Sequence, residues 1–382
     1  MPYGIPLWKL RREFTRLTDQ LLDLPDKIAN LRHRLSEPAR RAVYERDFDR
    51  LTRLNEGQVP LKDRVAIFLI YQPTGVAPSV LGTCKWLAAE GYSPFVVSNG
   101  SLEEADRRQI EAESWRLLER PNFGYDFGGY RDAILLLDSW GLSPDRLIVM
   151  NDSVWTPMVP DLMLLLEAQA EEADIVGFLK DEKVRHDTEG GQPTERFHLE
   201  SYFYLITQTA LSNPAFRGFW QSYRMTNFKP STIKHGEIGF SRRMSEAGLR
   251  LEALTRRSLF IERLARMDDC FLVKTLRYAI YTDHDLGKAA TRLAQRNSAD
   301  TTWRGEALEH IRRTVNRKRF NVSFPYANDH IFGTIFMKKS LESIFCGMRQ
   351  SYLRALSDGE VAQPPPEVLI EIKAITAANR KV

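Results

Sequence analysis

The stretch PNFGYDFGGYR at 121–131 sets an amide, a carboxylate and a guanidinium (Asn122, Asp126, Arg131) among three glycines, Gly124, Gly128 and Gly129, just ahead of a helical pattern. Glycine lets a backbone come close to a ligand, and free N–H groups at a helix start favour an anion, so this turn can receive a phosphate or a ribose. The alternative is a structural loop in which Asp126 caps the helix and Arg131 pairs on the surface. Three more polar clusters each follow an apolar run: Tyr71-Gln72-Pro73-Thr74-Gly75, Ser98-Asn99-Gly100 and Asn151-Asp152-Ser153. In the second half, FHLESYFYLI puts His198 and Glu200 on one face of an extended segment, and HGEIGF sets Glu237 immediately before a helical segment.

The elements that must position these groups are legible as runs. VAIFLIY (65–71), SPFVVSNG (93–100), RLIVMND (146–152) and DIVGFL (174–179) read as strands, and 79–90, 103–118, 130–138 and 160–170 read as helices. Apolar runs alternating with helices predict an α/β fold, Rossmann-type, with a mostly parallel sheet covered on both faces. Ligands of such sheets sit beyond the C-terminal strand ends, where the three polar clusters lie. No GxGxxG or GxxxxGK[ST] follows the first strand, which weakens dinucleotide and P-loop readings.

The chain has 382 residues, 43% of them apolar and 27% charged, with 22 glycines, the composition of an ordered globular protein of two to three units or one enlarged domain. Its three cysteines include no CxxC pair, and its seven histidines no HExxH, which argues against a disulfide framework or a zinc cluster and fits a reducing compartment. The start lacks a signal-peptide apolar core, and no run of about 18 apolar residues exists, so a cytoplasmic protein, soluble or peripheral at the inner face of the cell membrane, is expected. The net charge is only +4, but 241–320 holds 18 Lys/Arg against 10 Asp/Glu, which favours an anionic partner such as phosphate or lipid headgroup. Without zinc-finger spacing, an RRM signature or a helix-turn-helix, nucleic-acid binding is not expected.

Leu7, Leu10, Phe14, Leu17, Leu21, Leu24, Ile28, Leu31 and Leu35 form a heptad stripe, interrupted by Pro25, that predicts a helical arm or coiled coil. It packs on the body, makes a homo-oligomer through 7–35, or attaches to a membrane. A second helix is predicted at 39–55, using Val43, Phe48, Leu51 and Leu54, and GQVPLKD (57–63) marks a boundary. Beyond residue 250, segments 251–280 and 286–296 and the stretch up to 315 read as helical, 341–355 as a docking helix, and Pro364-Pro365-Pro366 as an extended linker to a last short helix.

The pieces PNFGYDFGGYRDAI (121–134), VMNDSVWTP (149–157), FHLESYF (197–203) and HGEIGFSRRMSEAGL (235–249) resemble the rhamnan synthesis F family, glycosyltransferase-like proteins of bacterial cell-surface polysaccharide assembly. The likeness covers roughly 65–250. It implies a GT-A-like fold and a nucleoside diphosphate sugar as donor, often dTDP-rhamnose. It further implies that Asn99 stands in the base and ribose turn, that Asn122-Phe123-Gly124 is an Asn-x-Gly turn, and that Asn151-Asp152-Ser153 occupies the Asp-x-Asp metal position with Asp152 as its single acid. Mg or Mn can bind through one carboxylate plus diphosphate oxygens. Without the metal, Arg131 or residues of the basic C-terminal half must offset the leaving diphosphate.

By the same resemblance Glu237 is the expected acceptor base of an inverting transfer, its competing role being a helix cap or arginine partner, with Glu200 and His198 as further candidates. Family members commonly carry Gln at the position of Glu200. The expected donor-binding set is Tyr71, Asn99, Asn122, Gly124, Asp126, Gly128, Gly129, Arg131 and Asn151. The expected plan is an N-terminal arm (1–60), a GT-A-like catalytic domain (61–250), a mainly helical supporting region (251–358) and a tail (359–382). The expected function is sugar transfer, rhamnose included, to a polysaccharide or lipid-linked glycan. A non-catalytic sugar-nucleotide or glycan-binding scaffold and a nucleotidyltransferase are the alternatives.

Overall fold

A computed structural model describes residues 36–185, 194–296, 298, 300–317 and 320–378. The heptad stripe at 7–35 lies outside the described residues. Nine strands form one sheet: β1 (Arg53–Glu56), β2 (Arg64–Ile70), β3 (Tyr92–Ser98), β4 (Arg116–Glu119), β5 (Arg146–Asn151), β6 (Ile175–Arg185), β7 (Thr194–Leu199), β8 (Phe203–Thr207) and β9 (Leu251–Arg256). Their order is β1-β4-β3-β2-β5-β8-β6-β7, with β9 on the other edge of β6.

The central strands β4, β3, β2 and β5 are mutually parallel. They fit the prediction because β2 is an unbroken apolar run whose side chains are needed on both faces. Val65, Ile67 and Leu69 join one apolar cluster, and Ala66, Phe68 and Ile70 the other. The first cluster is roofed by α1 (36–46), α4 (Tyr125–Ser139), α6 (Pro214–Ser222) and α7 (Ile238–Glu246). The second is roofed by α2 (Pro78–Ala89), α3 (Glu104–Ala112), α5 (Leu162–Ala170) and the helices that follow β9.

The sheet is mixed rather than mostly parallel, which corrects the Rossmann-type expectation. Past β5 the added strands run the other way: β7 and β8, joined through residues 200–202, follow one another in the same direction along one edge of β6, each antiparallel to it. β8 accordingly runs antiparallel to both β5 and β6. Three local expectations also change. The helix read at 103–118 ends at Ala112 and gives way to β4, the helix read at 39–55 gives way to β1, and 251–256 is strand β9 rather than helix. In each case pairing with a neighbouring strand outweighs weak local propensity.

The C-terminal helices are α8 (Arg257–Leu264), α9 (Asp269–Arg277), α10 (His284–Gln295), α11 (Trp303–Arg317), α12 (Pro325–Phe332), α13 (Ser343–Ser357) and α14 (Pro366–Ala378). They share one apolar cluster with the sheet, through Phe260, Trp303, Ile311, Phe324, Phe345 and Ile372. The last of them, expected as a short helix beyond an extended linker, docks on α2. Val368 and Ile372 are buried, and the Glu371 carboxylate accepts the backbone N–H and hydroxyl of Ser79 (2.7 Å each) and the Trp155 indole N–H (2.9 Å). Among the described residues no helix is long and apolar enough to cross a membrane. Cys84, Cys270 and Cys346 form no disulfide among the described residues.

Candidate functional site

The register of the parallel strands brings the three polar clusters to one line. Ile70 pairs with Ser98 and Leu69 with Asn151, so Tyr71, Asn99 and Asp152 emerge side by side. Asn99 N–H donates to Ile70 O and Asp152 N–H to Leu69 O, extending the ladder past the strand ends. The β7–β8 corner is fastened to the same edge, since Asn151 N–H donates to Tyr202 O at 3.2 Å.

Beside this edge opens a cavity of about 770 Å³. Its walls include Tyr125, Asp126 and Phe127 from the start of α4, Asn151 and Ser153 from the end of β5, and Glu200, Ser201 and Tyr202 from the β7–β8 corner. Lys229, Thr232, Ile233 and Glu237 come from the segment ahead of α7, and Lys338, Glu342 and Phe345 from the approach to α13. These groups are separated by up to 220 positions in sequence, and only the packed sheet joins them.

Glu237 is the best-defined acid here. It closes a wide π-helical turn, Thr232–Glu237, of the kind that recurs at functional sites. Gly236 makes that turn possible: a Cβ there would stand 2.8 Å from Cγ of Phe127, inside van der Waals contact. One Glu237 oxygen lies 3.1 Å from Nε2 of His198, and the other accepts the Ser201 N–H at 3.1 Å. Burial pushes the Glu237 carboxyl up, but the bonds from His198 and Ser201 outweigh it and leave its pKa lowered. For His198 burial works downward, and the Glu237 bond and the charges of Glu237, Asp181 and Glu200 turn the net shift upward. The pair therefore favours a carboxylate beside an imidazolium. Glu237 lines the cavity and His198 stands behind it, so His198 orients the acid rather than meeting a ligand first.

Asp126 faces the cavity from the first turn of α4, with the Asn151 amide donating to it at 2.9 Å. Burial, then the charges of Asp152 and Glu237, push its carboxyl up to about 6, against the Asn151 bond and Lys229. Glu200 is buried, with Lys338 at 3.7 Å. The Lys338 ammonium also stands over the rings of Tyr202 (5.2 Å) and Phe345 (5.9 Å), a placement that cation–π attraction favours.

Several predicted donor contacts take protein partners instead. Arg131 lies outside the cavity lining and takes the surface-pairing alternative, with Glu45 at 2.9 Å and Asp132 at 3.6 Å, because α4 begins at Tyr125 and turns position 131 toward α1. The predicted loop is thus already helix. Gly128 and Gly129 are required by packing, since a Cβ would meet Phe123 O at 2.1 Å in the first and Leu69 Cδ1 at 2.1 Å in the second. Gly124 holds φ 84° just before α4, a left-handed turn that glycine favours. Asn122 is exposed and Asn99 is buried against Arg120, whose guanidinium donates to it.

Arg120, which the sequence reading passed over, is wholly buried, bonding Asp132 (2.8 Å), Tyr44 (3.0 Å) and Phe123 O (2.6 Å). A buried charge persists only when so paired.

Asp152 was expected to hold Mg or Mn; it stands at the strand end with its carboxylate engaged by the loop that follows β2. Along the strand end Asn151 and Ser153 line the cavity while the residue between them does not. One Asp152 oxygen already accepts the Tyr71 N–H (3.0 Å) and the Gln72 amide (2.6 Å). Among the described residues no three His, Cys, Asp or Glu side chains gather as a metal site. Lys229, Lys338 and Lys339 were also missed. The adjacent pair in IFMKKS was the visible signal for Lys338 and Lys339, a doubled charge closing an otherwise apolar run.

The chain is 33% identical over 246 residues to a protein of Sinorhizobium fredii (strain NBRC 101917 / NGR234), uncharacterized protein y4gN, covering 64% of this chain and 61% of that one. The match thus spans less than two thirds of that relative's length. Among solved structures, 4-diphosphocytidyl-2C-methyl-D-erythritol synthase aligns at 15% identity and TM-score 0.29 over 50% of this chain and 89% of its own. The glycosyltransferase GlyE of Streptococcus pneumoniae TIGR4 aligns at 10% identity and TM-score 0.28 over 67% of this chain and 64% of its own. The central region, residues 95–264, matches the family described as RgpF, rhamnan synthesis protein F, in agreement with the resemblance carried by the sequence pieces at 121–134, 149–157, 197–203 and 235–249.

Proposed function

We propose that this protein is a GT-A-like glycosyltransferase that takes a nucleoside diphosphate sugar at the strand-end edge and passes the sugar, rhamnose being the first candidate, to a hydroxyl of a polysaccharide or lipid-linked glycan. One observation carries the reading. A carboxylate held ionised by a histidine and a backbone N–H, Glu237, faces the same cavity as the polar end of β5, Asn151 and Ser153. An inverting transfer needs that geometry: Glu237 takes the proton of the acceptor hydroxyl as its oxygen bonds the anomeric carbon and the nucleoside diphosphate leaves. The family match over 95–264 supports the same class of reaction.

Lys229 and Lys338, on the cavity wall, are the cations available to offset the leaving diphosphate. A divalent ion, if the donor brings one, would meet Asp126 and phosphate oxygens, where it would neutralise the same charge. Tyr125, exposed at the cavity wall, offers its ring to a sugar.

The test is a screen of dTDP-, UDP- and GDP-sugars by ligand-detected binding and by donor hydrolysis, each with Mn and with chelator. Binding and slow hydrolysis of one donor class is expected. Absence of both for every donor overturns the transferase reading. Binding without any hydrolysis or transfer favours a sugar-nucleotide-binding scaffold.

A further inference from the structure

Asp152 is the middle of a partly buried chain of alternating charges that runs away from the cavity. On one side its carboxylate holds Tyr71 N–H and the Gln72 amide, and the Gln72 carbonyl in turn accepts the N–H of Ala77, just before α2. The loop 71–77 is pinned at its far end as well, by the Asp106 carboxylate on Val76 N–H at 3.2 Å. On the other side Lys339 pairs with Asp152 electrostatically. The Lys339 ammonium lies 3.8 Å from Glu371 of α14 and donates to the Ser79 hydroxyl at 3.1 Å, and its backbone N–H donates to Ser153 O at 2.9 Å. The backbone this chain fixes carries the Tyr71 ring, which is 53% exposed at the end of β2, next to Asn99 and in line with the donor edge. A large ring left in water on a backbone fixed at its own N–H can serve as a stacking platform, and a planar base is the group it suits.

We propose that Asp152 is a positioning residue for the nucleoside of the donor, acting through Tyr71 and Gln72, and that Lys339 and Glu371 keep its charge compensated from the C-terminal end of the chain. The inference rests on the donor reading for its ligand and on the loop geometry for its mechanism. It departs from a metal role in one decisive respect. A metal ligand changes donor binding only when the ion is present, whereas a positioning residue changes it equally with Mn and with chelator.

The experiment uses the full chain and its Asp152→Asn, Tyr71→Ala and Lys339→Met variants. Calorimetry with dTDP, UDP and GDP, in Mn and in chelator, is paired with amide hydrogen exchange over 71–77. Asp152→Asn and Tyr71→Ala are each expected to weaken nucleoside diphosphate binding about tenfold in both media, the scale of one lost hydrogen bond to a charged group. The double variant is expected to be no weaker than either single one, because both act by the same route. Tyr71 and its loop should exchange faster in Asp152→Asn and in Lys339→Met. A loss confined to Mn, or additive losses in the double variant, overturns the proposal. Unchanged exchange at Tyr71 overturns it independently of any ligand. If none of the three diphosphates binds the unmodified chain, the donor reading and the nucleoside half of this inference fail together, and the exchange data still decide the positioning half.

Discussion

Nε2 of His198, at the end of β7, lies 3.1 Å from Oε1 of Glu237, 39 positions later in the chain at the close of a π-helical turn. The contact turns a partly buried acid into a stable carboxylate and points it at the cavity. Three consequences concern this pair and its neighbours, and a fourth concerns the ion pair beneath them.

Glu237→Gln keeps size and one acceptor but removes the proton-accepting charge. Transfer should fall by about 10²–10⁴-fold with donor affinity nearly unchanged, the range of general base catalysis. Single-turnover transfer against pH checks it. The stability linkage of the pair has two limbs. The lowered Glu237 value contributes stability above about pH 4.5 that is lost as pH falls through the folded pKa. The raised His198 value contributes stability below about pH 6.5 that is lost as pH rises through the folded pKa. Urea melts of the unmodified chain and of His198→Gln should therefore differ most between these limits and converge on either side.

Asp126, pushed up to about 6 by burial and by Asp152 and Glu237, has the opposite sign for an acid. The folded state holds its proton more tightly, so stability declines as pH rises from about 4 to about 6. Asp126→Asn should remove that decline and stabilise the chain at pH 7.5 by about 2–3 kcal/mol at most. Thermal melts at pH 4.5 and 7.5 measure it, and the same variant should weaken donor binding because the residue lines the cavity.

Gly236→Ala introduces a methyl against the Phe127 ring, a clash of the kind that costs about 1–3 kcal/mol when neighbours must shift. The expected result is a chain that still folds but transfers poorly, because the displaced turn carries Glu237. Restored transfer in the Gly236→Ala, Phe127→Leu double variant would tie the loss to that contact.

Arg120→Met strands Asp132 in the core and should cost about 3–5 kcal/mol, the penalty for breaking a buried pair. Arg131→Ala, by contrast, removes a pair with Glu45 at the α1 side and should leave donor affinity as it was. Urea melts and donor calorimetry on the two variants separate the structural arginine from the surface-pairing one.

The sequence alone determined the parallel centre of the sheet, because apolar runs of that length, flanked by helices, must be buried on both faces. It also determined that Tyr71, Asn99 and Asp152 would emerge at one edge, which follows from strand direction alone, and it marked Glu237 as an acid worth testing. What it left open was which way each side chain turns and what it meets. Asp152 and Ser153 differ by one position, yet only the latter lines the cavity, a choice made by the pleat and by the donors of Tyr71 and Gln72. Arg131 looked like a phosphate ligand until the early start of α4 turned it toward Glu45. Lys338 reaches Glu200 across 138 positions, and Glu371 reaches Trp155 across 216, distances at which no local pattern constrains a pairing. Periodicity reports which face of an element is buried; only the packing of remote elements around one sheet decides which polar groups share a cavity.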